Sequence, residues 1–419
     1  MQKKVIVFFF FLFVLFQTIT VEAQVNSTVS DSTQYKKKRK IVEDKDVVDL
    51  YYALKNKKDH PPLYQPETKA GHFHFAFVPA VGYTLQTGFA GLMSANTVLF
   101  ADESNNAKAS NILTSIAYTQ YNQVILPLHA DIWTKGNQWN IISDNRFMKY
   151  PSETFGLGAK TLDKDEDDID FSYLRLHQSV LRNLSHDVFL GAGYFYDYFW
   201  NIHEINTQPN VVTSFEKYDN GVIHPTEIAS GFNFQALYDT RKNQVNPTQG
   251  FYASINYRKN LRWLGSETHW QSTIIELKKY FTFPEHSKNV IALWNYNWFT
   301  TSTGQQKTPY LLLPSTGWDD FFNTGRGYIQ GRFRGRNMSY LEAEYRFRII
   351  RNGLLGGVVF ANAEAFSKDI TSLRQTIAPG YGLGLRIKLN KHSATNLCID
   401  YGFGEAGSRG FFVNLGEVF

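Results

Sequence analysis

The chain has 419 residues, a formal net charge of +5 and a single cysteine, Cys398. One cysteine excludes an internal disulfide framework, and so small a charge excess gives no reason to expect nucleic acid as a partner. Aromatics are the unusual component: 34 Phe, 24 Tyr and 8 Trp accompany a mean hydropathy of -0.32. A soluble core this rich in rings reads as more hydrophobic, whereas aromatic girdles around a polar lumen give both values together.

Lys3 and Lys4 precede an unbroken apolar run, Val5–Phe16, and Val21-Glu22-Ala23 sets small residues before Gln24. These are the parts of a cleaved secretory signal peptide over residues 1–23, with an apolar run too short to span a bilayer. Cleavage removes Lys3, Lys4 and Glu22 and leaves a formal charge of +4. No cysteine follows the cleavage site, which argues against a lipoprotein, and no later run approaches the roughly 18 apolar residues of a spanning helix. An exported chain of this kind is secreted, periplasmic or a barrel. Residues 24–71 read as a periplasmic leader. Its basic run, Lys36-Lys37-Lys38-Arg39-Lys40, reads first as solvated and second as a contact for anionic headgroups. Val47, Val48, Tyr51 and Leu54 follow at helical spacing before Pro61-Pro62, which predicts a short amphipathic helix.

From His72 to Phe419 the pattern is strand after strand. Phe73, Phe75 and Phe77 alternate, and Pro79 is expected to end the first strand. Further strands are predicted near 87–101, 109–121, 123–135, 138–150, 170–183, 187–203 and 225–239. The rest fall near 250–262, 268–283, 289–301, 336–350, 354–366, 380–390, 395–405 and 410–419. An even number of strands closes a barrel with every neighbour antiparallel. The expected fold is therefore all-β: a 16-stranded antiparallel transmembrane β-barrel over residues 72–419, with a short N-terminal leader helix. Most strands alternate cleanly; Tyr381, Leu383, Leu385 and Ile387 oppose Gly382, Gly384, Arg386 and Lys388. Strand 170–183 is less clean, with Leu174 and Leu176 placed toward the lumen, which leaves a packed plug or a different register as explanations.

The densest signal lies in Gly325–Arg348. Asn337, Ser339, Leu341, Ala343, Tyr345 and Phe347 share one face, while Met338, Tyr340, Glu342, Glu344, Arg346 and Arg348 share the other. That period-two split marks a strand with different surroundings on its two sides. Just before it, Arg326 stands between Gly325 and Gly327, positioned to reach into the lumen and meet Glu342 or Glu344. The next strand carries Asn362 and Glu364 on one face.

This combination resembles the outer-membrane protein-85 superfamily, the BamA/TamA-like barrels with a surface antigen D15 domain. The resemblance implies that the Arg326-Gly327-Tyr328 tip of a sixth extracellular loop folds into the barrel. It would pair there with acids on the next two strands: Glu344 first, then a position where Asn362 stands in place of the family's frequent aspartate, with Glu364 two residues on. Asp239 and Arg241, followed by Asn246, Pro247 and Gly250, look like the family's periplasmic hairpin, and Pro and Gly at that spacing suit a type I turn. Phe411, Val413, Leu415 and Phe419 resemble an outward-facing C-terminal assembly signal, with Glu417 interrupting it. The family's better-known members carry periplasmic polypeptide-transport-associated (POTRA) domains, and the leader is too short to hold one, so the chain reads as a short form.

Catalytic signals are sparse. His72 and His74 have same-face spacing but no acid or cysteine to complete a metal site. Asp163-Lys-Asp-Glu-Asp-Asp168 lacks the central glycine and distal glutamate of a calcium loop and reads as a solvated loop. There is no nucleophile elbow, zinc motif or phosphate loop. No catalytic residue, metal or cofactor is therefore expected, and a barrel enzyme is the least favoured reading. The resemblance implies insertion or translocation of protein or lipid through a lateral seam between the first and last strands. Pro79, Gly410 and Gly416 would weaken the ladder at that seam. The rival is a passive pore or structural barrel, against which Trp318, Phe321 and Phe322 in the long loop 302–335 suggest a plug. The implied partners are outer-membrane lipid, the barrel assembly machinery during biogenesis, and protein clients or a second copy of the chain. The implied location is the bacterial outer membrane.

Overall fold

The computed structural model describes residues 43–55, 74–102, 107–205, 212–218, 222–241, 243–302, 306–375, 377–391 and 394–419. The signal peptide, the basic run and His72 lie outside the described residues, as does most of the leader.

Among the described residues seventeen strands form one sheet. They are β1 (His74–Thr84), β2 (Gly88–Phe100), β3 (Ala109–Thr119), β4 (Val124–Trp133), β5 (Trp139–Lys149), β6 (Ser152–Thr154), β7 (Asp167–Ser185), β8 (Val188–Ile205) and β9 (Thr226–Asp239). Then come β10 (Gly250–Asn260), β11 (Trp270–Thr282), β12 (Val290–Ser302), β13 (Asn337–Arg348), β14 (Leu355–Ser367), β15 (Ile377–Asn390), β16 (Thr395–Phe403) and β17 (Arg409–Leu415). β5 and the short β6 both pair with β7, so they form a single stave and the barrel has sixteen. Each stave from β1 to β17 pairs antiparallel with the next in sequence. Among the described residues no register pairs β1 with β17, so the barrel is nearly closed. No described helix is long and apolar enough to cross a membrane.

Alternation places the side chains as the sequence pattern requires. In β13, Tyr340, Glu342 and Glu344 are buried in the interior, while Leu341 between them is exposed on the outside. β7 corrects one expectation. Phe171, Tyr173, Arg175, His177 and Ser179 are its buried inner face, and Leu176 is exposed on the outer wall. The leucines that looked lumenal face outward, and the inner face is an ordinary polar and aromatic lining once the register is known. Pro79 also does not end β1, which runs on to Thr84 with Pro79 opposite Met93. An edge strand that pairs on one side only has no second ladder to donate to, and a proline is tolerated there.

One rim carries the long loops and the other the short hairpins; we call them the loop end and the hairpin end. The predicted leader helix is present as α1 (Val47–Leu54), capped by Asp46, whose carboxylate accepts from the Val48 and Asp49 amides. α1 sits at the hairpin end. Arg348 clamps Asp44 with two bonds of 2.7 and 2.8 Å, and the Lys391 ammonium donates to Asp49 at 3.0 Å. Arg348 is the main reason that the Asp44 carboxyl titrates below its usual range, its hydrogen bond outweighing partial burial.

Candidate functional site

The connection between β12 and β13 does not project from the barrel. It folds inward, and its aromatics make the core. Tyr310, Leu311, Leu312, Leu313, Trp318 and Phe333 are buried in one cluster with wall side chains such as Phe171, Tyr173 and Phe199. The loop is shaped by its own polar groups. The Asp319 carboxylate accepts from the Asn323 and Thr324 amides at 2.9 and 2.7 Å, and the Gly331 amide donates to the Thr316 carbonyl at 2.9 Å. This self-bonding satisfies backbone groups that burial would otherwise leave unpaired.

The tip presents Arg326, which is 1% exposed. Its guanidinium donates to Asp400 at 2.6 Å and to both Glu342 and Glu344, and it lies 3.7 Å from the centre of the Phe360 ring. The approach is close. Gly327 sits at φ 121°, and a Cβ there would come within 2.7 Å of the Phe403 carbonyl oxygen, so only glycine fits. The Tyr328 hydroxyl donates to the Pro379 carbonyl at 2.6 Å and accepts from the Glu405 amide at 2.9 Å. Gly325, Arg326, Gly327 and Tyr328 are thus all packed against the β13–β16 wall.

The predicted acids divide. Glu342 and Glu344 both meet Arg326. Asn362 does not meet the guanidinium; its side-chain amide donates to the Arg326 carbonyl at 2.9 Å and fixes the loop backbone instead. Glu364 is not an Arg326 partner, and accepts from the Thr316 hydroxyl at 3.1 Å. The third acid, Asp400, was missed because it lies on β16, well beyond the next two strands. Its sequence signal was an acid at the lumenal parity of β16, between Cys398 and Gly402. Such an acid in a barrel wall needs a cation.

The charges continue toward the hairpin end. Arg386 bridges Asp400 at 2.5 Å and Glu417 at 2.8 Å, while Arg346 donates to Glu344 at 2.6 Å and to the Phe419 carbonyl at 3.0 Å. Three guanidiniums therefore hold four carboxylates in one connected network, and Tyr340 donates to Glu342 as well. The network explains a further correction. Phe411 and Leu415 face outward and are exposed, but Phe419 is 5% exposed and stacks on Trp294 inside the barrel, ring centres 5.1 Å apart. β17 stops at Leu415 because Glu417 turns inward to Arg386 and Arg346. The residue that interrupted the apolar series was the clue.

The predicted hairpin residues also bind. Arg241 clamps Asp239 with two bonds of 2.9 Å. The segment after it bends around Asn243, whose side chain accepts from the Val245 and Asn246 amides, and it forms a strap instead of a tight turn. Pro247 is buried within it, and Gly250 opens β10. From this strap the Asn246 side chain donates to the Ala394 carbonyl at 3.1 Å, and the Val245 carbonyl accepts from the Glu417 amide at 2.9 Å. The strap thus links the β9–β10 connection to the end of β17.

Asp163 and Asp165 have partners within the chain: Asp163 meets Arg332, and Asp165 accepts from the Leu162 amide. Glu153, Glu166 and Asp168 bring carboxylate oxygens within 4.8 Å of one another at the loop end, and nothing beyond that proximity points to a metal.

A family model described as the Omp85 superfamily domain matches residues 203–419. The crystal structure of BamA from Haemophilus ducreyi lacking POTRA domains 1-3 is similar at a TM-score of 0.54 and 15% identity, over 82% of this chain and 70% of that one. CdiB from Acinetobacter baumannii gives a TM-score of 0.49 and 13% identity, over 82% of this chain but 60% of that one. No curated protein sequence matches the chain. The BamA likeness shows the barrel fold, and the matched segment holds the strap, the loop tip and all its acids. With more than half of its length matched, this outer-membrane barrel belongs to the Omp85 superfamily.

Proposed function

We propose that this protein inserts or translocates protein, or lipid, through a lateral seam between β1 and β17, with the Arg326 loop bracing the wall beside it. The observation that carries this reading is the missing ladder. Among the described residues every other pair of neighbouring staves is joined by a hydrogen-bonded register, and the β1–β17 junction has none. Among the described contacts there, Leu85 in the turn after β1 occupies the notch left by Gly410, and Gly82 faces the Val413 side chain. Parting two strands without ladder bonds costs far less than parting paired ones. The family resemblance supports the same role, with the loop end outside the cell and the hairpin end in the periplasm. Clients would be protein or lipid at the periplasmic side. The assembly machinery would act on the chain itself, reading Phe411, Val413 and Leu415 without Phe419.

The seam is also tied to the plug. The Asn323 side chain in the loop donates to the Val418 carbonyl at 2.7 Å, so β17 cannot swing freely while the loop stays seated. The filled lumen disfavours a passive pore.

The test is a reversible lock. A Cβ on Gly82 would stand 4.0 Å from the Val413 Cβ, inside the range of a disulfide, so Gly82→Cys with Val413→Cys can close the seam once Cys398→Ala removes the native thiol. After depletion of the chromosomal protein, proteomics of the outer-membrane fraction should show a set of other barrels or surface proteins lost. The reduced variant should restore them and the oxidised variant should not. Restoration by the oxidised variant would discard lateral opening. An unchanged proteome with altered uptake of small solutes would make the barrel a pore.

A further inference from the structure

We propose that the outer wall of the barrel carries a site for the phosphorylated sugar headgroup of an outer-leaflet glycolipid, built from Lys149, Asp170, Ser172, Asn201 and His203. These residues, with Ile202, line a cavity of about 450 Å³. The site follows from three strands and one irregularity. Lys149 on β5 is opposite Ser172 on β7, and Ser172 is opposite Trp200 on β8. One step closer to the loop end, Asp170 is opposite His203, so the ladder skips a residue of β8 between these pairs. Asn201, at φ 54°, lies in the skipped segment as a bulge. Bulges re-aim neighbouring side chains and open gaps in an otherwise continuous wall. Met148, Phe171, Phe199 and Ile202 fill the inner side at these heights, so Lys149, Ser172 and His203 face outward.

Height and chemistry choose the ligand. Phe147 and Trp200 pack on the same outer face with ring centres 5.9 Å apart, and Tyr198 stacks on Trp200 at 5.1 Å. Aromatic clusters of this kind mark the membrane interface. Lys149 lies two residues past Phe147 toward the loop end, about 7 Å farther along the strand, which is headgroup height. Lys149 Nζ stands 4.0 Å from Asp170, too far for a direct hydrogen bond, and a buried Asp170 oxygen has no partner. His203 donates Nδ1–H to the Asn201 carbonyl at 2.8 Å, which leaves Nε2 as an acceptor for a ligand hydroxyl. A bare anion would meet Lys149 but also the Asp170 carboxylate and the His203 Nε2 lone pair, both of which repel it. A headgroup carrying both a phosphate and hydroxyls satisfies all of them: the phosphate on Lys149, the hydroxyls on His203 Nε2, Asp170, Ser172 and Asn201. The site does not depend on the seam.

The experiment uses the full-length barrel in detergent and three probes: a bis-phosphorylated glucosamine disaccharide lipid, phosphatidylglycerol and inorganic phosphate. Binding is read by native mass spectrometry. The disaccharide lipid should bind best, and Lys149→Gln with Asp170→Asn should weaken it about tenfold. Independently, acylation of Lys149 in the unaltered protein should be slowed by the disaccharide lipid and not by phosphatidylglycerol. Equal binding by the double variant would overturn the site, as would equal protection by phosphatidylglycerol. Binding of inorganic phosphate as tight as that of the lipid would also overturn it, because the wall would then read charge alone.

Discussion

Two buried charge clusters line the lumen, and they differ in the source of their cations. On the β13–β16 wall the acids Glu342, Glu344 and Asp400 come from strands, and the cation that joins them, Arg326, comes from the loop. In the second cluster every cation comes from a strand, and so do the acids Asp144 and Asp197. Arg146 and Arg175 hold Asp144, and Arg258, Arg175 and His177 surround Asp197. The loop adds an acid to this second cluster but no cation: the Asp320 carboxylate lies 3.7 Å from Arg175 and 4.0 Å from Arg146, and the Asp320 carbonyl and Phe322 ring also meet Arg146. The first cluster is a clasp that seats the plug, and the second is a brace that stiffens the wall. The same physics, charges desolvated and paired, serves two purposes depending on which chain segment moves.

The comparison is broken most directly at Arg326. Arg326→Ala leaves three buried carboxylates short of a cation, a change that typically costs about 3–5 kcal/mol. The expected result is a loop tip open to added protease while the barrel still migrates as a folded species on an unheated gel. A protected loop would mean that the aromatics alone seat it. Arg258→Ala should cost less, about 1–3 kcal/mol, because Asp197 keeps Arg175, His177 and the Tyr173 hydroxyl. It should lower the melting temperature without exposing the loop. If it frees the loop as readily as Arg326→Ala does, the two clusters are one unit and the distinction between clasp and brace fails.

The smallest effect sharpens the comparison from outside the lumen. Asp44 and Arg348 are a partly exposed pair, worth less than about 1 kcal/mol. Arg348 holds the Asp44 carboxyl below its ordinary value, so the tie is complete above the usual carboxylate range. It is lost as pH falls through the lowered value. Amide exchange over α1 should therefore quicken at acid pH in the native protein, and Asp44→Asn should flatten that dependence while loop exchange stays unchanged.

Much of the clasp was legible in the sequence. The two glycines around Arg326 and the alternating acids of β13 are local patterns, and local patterns survive without knowledge of the fold. Asp400 and the true role of Asn362 were not legible. Which lumenal residues stand at one height depends on the stagger accumulated across several strands, and no window of sequence contains it. Phe419 shows the same limit, because an apolar residue at strand parity is outward only while the strand continues. Glu417 ended it by finding Arg386 and Arg346, which are distant in sequence.

The sequence by itself determined the number of staves, the face that most strand residues take and the identity of the loop tip. These follow from side-chain period and turn chemistry, which act over a few residues. Tertiary structure alone decided which charges meet, that the end of β17 turns inward, that the first and last strands share no ladder, and that a bulge opens the outer wall at Asn201. Those features depend on register and closure, which are properties of the whole ring of strands.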